Sequence, residues 1–403
     1  MGKYVVPDAP EIDRLVEGHM ATIVGEIGTV LTPRTVVLFG SFGHGEGSVQ
    51  LDPPPAKFHS DYELLVVSPE VWRAPALKRR LPRLTQLTGV ETELKLLHPS
   101  ALRRHQWSNF APGTAPPSIL MYELHSGSRV VAGEPGALRS GAVDPAAVPL
   151  LSGVHLLFNR MAEAVKHFDA HRLDCGGALS IAQAKFASKL VLACSDALLL
   201  EIGRYHYSYR ERAARFTAEV PSTHPVLRAE PDLADLVRRA TRHKLQPTGS
   251  SFLPDVAGVV STVLPACGTT LRHVVGRACS LEVESFGAFA AAYADRRASA
   301  RGLKRLGLLP DLVRLGRAVR AGIPFQAAVA RELRTPLNDL VYAAVPGVFF
   351  GLGARGAARW EYLLDARRAL ARLVRMPPAA SDPDDEWCRL RDILLRVWYG
   401  CCY

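Results

Sequence analysis

The feature of this sequence that most restricts what the chain can become lies between residues 36 and 67. Two short apolar runs, residues 36–39 (Val-Val-Leu-Phe) and 64–67 (Leu-Leu-Val-Val), flank Gly40-Ser41 on one side and Asp61-Tyr62-Glu63 on the other. Each run is brief and rich in β-branched residues, so each predicts a buried strand. Gly40 and Ser41 end the first strand in a turn. Asp61 and Glu63 open the second. Successive strand side chains point to opposite faces, so these two carboxylates share one face and Tyr62 takes the other. A glycine turn that offers backbone N–H groups beside two parallel carboxylates suits a metal-bound polyphosphate. The structural alternative is a β-hairpin with charged residues at a strand edge.

Taken together, Phe39-Gly40-Ser41 followed by Asp61-Tyr62-Glu63-Leu64 resembles the nucleotidyltransferase superfamily typified by DNA polymerase β. Its mark is a strand ending in Gly-Ser or Gly-Gly, then a strand carrying acid–apolar–acid. Two departures bear on the comparison. Nineteen residues, 42–60, separate Ser41 from Asp61, which predicts an inserted loop containing Pro53-Pro54-Pro55. The second acid is Glu63 where Asp is commoner, so an extra methylene must be accommodated at the metal. The resemblance implies an α+β fold, with a small mixed-sheet nucleotidyltransferase catalytic domain followed by a large all-α domain. It also implies two Mg²⁺ ions bridged by Asp61 and Glu63, and a nucleoside triphosphate held at Gly40 and Ser41, with ATP as the expected donor.

A third strand is predicted over residues 90–97, with Glu91, Glu93, Lys95 and Leu97 on one face. Members of the superfamily carry a third carboxylate on such a strand. Glu91 and Glu93 both qualify, and the Thr-Glu-Leu-Lys-Leu setting favours Glu93. The resemblance thus assigns catalysis and metal ligation to Asp61, Glu63 and Glu93. Upstream, apolar residues at helical spacing predict a helix over 11–30. Downstream come a basic helix over 71–87 broken by Pro75 and Pro82, a short helix over 118–124, and a brief strand from Arg129.

From about residue 149 the pattern is helical. Predicted helices cover 153–170, 178–203, 209–219, 232–242, 252–264, 270–278, 284–297, 303–319, 325–333 and 357–374. Pro377-Pro378 and the acidic run 382–386 read as a linker before a last helix at 387–399. The expected domains are therefore residues 1–148, 149–376 and 377–403.

Two further groups have the chemistry of an anion site. Lys185 and Lys189 lie one turn apart on a largely apolar helix, where an unpaired ammonium is costly. Triphosphate oxygens or acids of a neighbouring helix would answer that charge, and helical domains of the superfamily often place a lysine over the phosphates. Residues 203–212 gather three tyrosines, a histidine and three arginines in a chain with only 7% aromatic residues. Tyr209 and Arg210 are the candidates there for stacking on a base or clamping phosphate. Packing tyrosines and solvated arginines at a turn between helices are the structural alternative.

The formal charge of +10 favours an anionic partner, a nucleoside triphosphate or RNA. The seven cysteines show no metal-binding spacing and suit reduced thiols in the cytoplasm. Asp255, Pro265 and Pro346 interrupt the most apolar windows, so no membrane partner is expected. The predicted activity is metal-dependent transfer of a nucleoside monophosphate to a hydroxylated small molecule. Transfer to RNA or to a protein side chain is the second reading, and an inactive nucleotide-binding protein the third.

Overall fold

The computed structural model describes residues 2–51, 56–100, 118–136, 143–168, 177–247, 252–301, 316–324 and 336–402. It divides into two compact units. The first comprises residues 1–152 together with 199–220 and 237–251, and the second the remainder. The first unit therefore takes in two segments that chain order alone assigns to the helical domain.

The first unit is built on a four-stranded mixed sheet. Strands β1 (Thr35–Phe39), β4 (Tyr62–Val67), β5 (Thr92–Leu97) and β6 (Arg129–Gly133) lie in the order β5-β4-β1-β6. β1 runs antiparallel to both β4 and β6, while β4 and β5 are parallel. Both faces are covered, which is why the central strands read as unbroken apolar runs. On one face Val36, Leu38, Tyr62, Leu64 and Val66 pack with Ile12, Val16, Met20, Ile23 and Ile27 of the helix Pro10–Gly28. On the other, Val37, Phe39, Leu65 and Val67 meet Leu124 of the helix Ile119–Gly127. Glu63 follows the parity of Leu65 and Val67, so it stands at the end of this second face.

Between β1 and β4 the chain makes one helical turn, Gly40–Gly43, and then a hairpin of β2 (Val49–Gln50) and β3 (Lys57–Phe58). The hairpin returns the chain to Asp61, and the expected proline loop at 53–55 falls outside the described residues. The basic segment after β4 breaks where its prolines require. A 3₁₀ turn Val71–Arg73 precedes helices Ala74–Lys78 and Leu81–Thr88, each with proline in its first turn. The third strand starts at Thr92 rather than at residue 90.

The second unit is helical, and its longest elements are Leu150–Val165, Ile181–Glu201, Leu264–Cys279, Leu337–Gly353, Gly356–Ala371 and Pro383–Cys402; a few residues at the ends of the first two count with the first unit. Two expectations are corrected. The separation predicted between 264 and 270 does not exist, because a π-helical turn Val259–Val263 leads directly into Leu264–Cys279; Pro265 follows that wider turn, where the α-helical hydrogen-bond ladder that proline would break is already interrupted. Residues 383–386 are helix rather than linker. Asp382 accepts hydrogen bonds from the N–H groups of Asp384 and Asp385, and the acidic first turn complements the helix dipole. The expected helix at 325–333, and most of that at 303–319, lie outside the described residues. At the core of this unit the buried Asp339 takes a hydrogen bond from Arg297 Nε (3.1 Å) and lies 3.3 Å from His155 Nε2. Among the described residues no helix is long and apolar enough to cross a membrane.

Candidate active site

Strand register builds the acidic half of the site. β1 and β4 pair Phe39 with Glu63, and β4 and β5 pair Glu63 with Glu93. Directly opposed residues in a sheet project from the same face. Glu93 therefore stands beside Glu63, with Asp61 two residues before Glu63 and on the same parity. Glu91 precedes β5 and is exposed, and its backbone carbonyl accepts from Tyr62 N–H at 2.8 Å.

Gly40 follows Phe39 and lies against the Glu63 carboxylate. Its φ is +62°, a left-handed conformation that glycine adopts without penalty. A Cβ at this position would collide with Glu63 Oε2. Position 40 thus needs glycine for two independent reasons, backbone conformation and space for the carboxylate. Ser41, 8% exposed, begins the turn beside it.

Burial and the crowding of acids act together on Glu63. Burial, and then the neighbouring Asp61, push the Glu63 carboxyl up to about 7; Lys95 opposes the rise, while Glu123 and Glu93 add to it. Lys95 also stands over the Phe39 ring, 5.1 Å from its centroid. The oxygens of Asp61, Glu63 and Glu93 do not all come within 4.8 Å of one another. A hard, oxygen-only donor set fits Mg²⁺ or Mn²⁺ better than a soft thiophilic metal.

The aromatic and basic segment is attached to the same unit by a carboxylate that sequence reasoning missed. Glu46, 1% exposed, accepts hydrogen bonds from Ser208 Oγ (2.7 Å), Tyr209 N–H (2.6 Å) and Arg210 N–H (3.3 Å). The Arg210 guanidinium Nε lies 3.4 Å from it. These contacts cap the helix Tyr209–Glu219, where an anion meets unsatisfied N–H groups. The Tyr209 ring lies beneath the Arg212 guanidinium at 4.1 Å and the Lys244 ammonium at 5.4 Å. Arg212, 4% exposed, donates to Tyr205 Oη, which donates in turn to Glu123 Oε1 at 2.6 Å.

Glu123 is thus a fourth acid whose charge reaches Glu63. No periodicity marks it, since a polar residue on a short amphipathic helix ordinarily faces water. Glu46 carried a weak signal, a lone acid within the glycine-rich run 40–47. Lys185 and Lys189 belong to the second unit. Lys189 Nζ lies 3.8 Å from Glu163, the neighbouring-helix acid that offered an alternative to phosphate. Comparisons with family models, curated proteins and solved structures find no match for this chain.

Proposed function

We propose that this protein is a metal-dependent nucleotidyltransferase that moves a nucleoside monophosphate from a triphosphate, ATP by preference, to a hydroxyl of a small molecule. The observation that supports it most is the register that sets Glu63 opposite Glu93 on one side and against the end of β1, at Gly40, on the other. Carboxylates able to hold Mg²⁺ beside a glycine–serine bend would supply the positioning and charge neutralisation that in-line transfer at a phosphorus uses.

Asp61, Glu63 and Glu93 would hold Mg²⁺, which when bound neutralises triphosphate charge and acidifies a neighbouring hydroxyl. Ser41 offers its hydroxyl and N–H to the β- and γ-phosphates, and Gly40 leaves room for them. Glu93 accepts the proton of the acceptor hydroxyl. The acceptor oxygen then forms its bond to the α-phosphorus in line as the bond to pyrophosphate breaks. Tyr209 and Arg210 border the nucleotide.

Incubation with each labelled nucleoside triphosphate and Mg²⁺, followed by mass spectrometry of all products, tests the reading. The wild-type protein is expected to release pyrophosphate and form a nucleotidylated product. Asp61→Asn should lower the rate by at least about a hundredfold, a loss typical of removing a principal electrostatic group, with an unchanged circular dichroism spectrum. Undiminished turnover in Asp61→Asn would refute the assignment.

A further inference from the structure

His44 follows the turn Gly40–Gly43 directly and donates its backbone N–H to the Gly40 carbonyl at 3.0 Å. The side chain is only 8% exposed, yet both ring nitrogens lack a hydrogen-bond partner. Buried polar atoms are paired in the great majority of cases, so a donor and an acceptor on one ring that no protein atom meets call for a partner from outside the chain, a ligand group or the water it displaces. The ring tilts against Tyr207, with centroids 5.4 Å apart. Gly127 closes over both rings: a Cβ there would come within 2.7 Å of His44 Cδ2 and 2.5 Å of Tyr207 Cδ2.

The charged neighbours decide what that ligand is. Glu123, Arg212, Glu46 and Lys244 all act on His44, and each has another partner. Glu123 takes the Tyr205 hydroxyl, Arg212 binds Tyr205, Glu46 caps the helix Tyr209–Glu219, and Lys244 donates to Ser60 Oγ at 3.0 Å. Two acids and two bases leave the surroundings nearly neutral, and burial holds the imidazole in its uncharged form. A neutral imidazole has one N–H donor and one acceptor nitrogen. A phosphate oxygen presents acceptors only, and an ammonium donors only. A hydroxyl presents both.

We infer that His44 is a hydroxyl-recognition residue, binding a neutral polyol or sugar hydroxyl by one donated and one accepted hydrogen bond beside Tyr207. The inference rests on the nucleotidyltransferase reading for the source of that hydroxyl, either the ribose of the donor nucleotide or the acceptor.

Nitrogen-15 spectra of the full chain, labelled at histidine and assigned with His44→Gln, provide the test. The probes are the Mg²⁺ complex of an α,β-methylene ATP analogue, its 2′,3′-dideoxy counterpart, and the neutral polyols glycerol, glucose and inositol. Movement of the His44 ring signals with the ribose nucleotide but not the dideoxy form identifies the ribose. Movement with a polyol identifies the acceptor. For the responding probe, His44→Phe should weaken binding about tenfold, as loss of a hydrogen bond to a buried group does, while His44→Gln, which keeps a donor and an acceptor, should retain most of it. Ring signals unmoved by every probe, or moved by inorganic pyrophosphate alone, would overturn the inference. A polyol response with no signal anywhere responding to nucleotide would uphold it and instead refute nucleotidyl transfer.

Discussion

At Gly40 the backbone and the site make the same demand. A left-handed φ of +62° costs a side-chain-bearing residue about 1–3 kcal/mol, and here a Cβ would also displace the Glu63 carboxylate. Gly40→Ala is therefore expected to reduce nucleotidyl transfer by more than about a hundredfold and to abolish the rise in melting temperature produced by Mg²⁺. A folded variant with normal Mg²⁺ stabilisation would show that the approach of Glu63 is incidental. Glu63 itself predicts a pH dependence. Its carboxyl is raised to about 7 from an ordinary 4.5, so the unfolded chain loses this proton first as pH rises. Without metal, the contribution of Glu63 to stability is fully present below about pH 4.5 and is lost between there and pH 7, by at most about 3 kcal/mol, a loss that Glu63→Gln should remove. Mg²⁺ should counter that loss, stabilising more near pH 8 than near pH 5. Thermal melts at both values check it, and equal stabilisation would remove Glu63 from the metal site.

At the scale of elements, the helix Tyr209–Glu219 shows how local and distant signals combine. Ser208 and Glu211 form a capping pair legible in the sequence, with Ser208 Oγ accepting from Glu211 N–H at 3.2 Å. The second cap, Glu46, is more than 160 residues away and no local rule finds it. Glu46→Ala should cost about 1–3 kcal/mol in denaturant unfolding, because buried N–H groups lose their acceptor. It should also impair transfer, because the proposed nucleotide site is bordered by Tyr209 and Arg210; Glu46→Gln, which still accepts, should recover part of both. The acidic stretch at 382–386 misled for the opposite reason. Pro and Asp mark linkers and helix starts alike, and only the hydrogen bonds to Asp382 tell them apart.

For the molecule as a whole, the net charge of +10 is spread along the chain rather than gathered in one basic run, and several arginines are held by acids instead of standing free for phosphate. Arg160, Arg210, Arg215, Arg297 and Arg367 all lie in ion pairs with Glu163, Glu46, Glu211, Asp339 and Glu386. Binding to mixed-sequence single-stranded RNA should accordingly be weak, with a log–log salt slope of magnitude below about 2, equivalent to fewer than about three phosphate contacts. A filter-binding titration across salt concentrations measures it. A steeper slope would favour RNA as the acceptor.

The amino-acid order alone determined the strands and most helices, because apolar periodicity and turn residues act over a few positions. It also placed Asp61, Glu63 and Gly40 as a group, since they lie at the ends of adjacent strands, and it offered both Glu91 and Glu93 as a third acid. Only the tertiary structure paired Glu93 with Glu63, brought Glu46 to a helix more than 160 residues away, gathered 199–220 and 237–251 into the sheet-bearing unit, and buried His44 without a partner. The division has a physical cause. Strand alternation and capping are properties of neighbouring residues, whereas register, burial and the company a charge keeps depend on segments that meet only when the chain has folded.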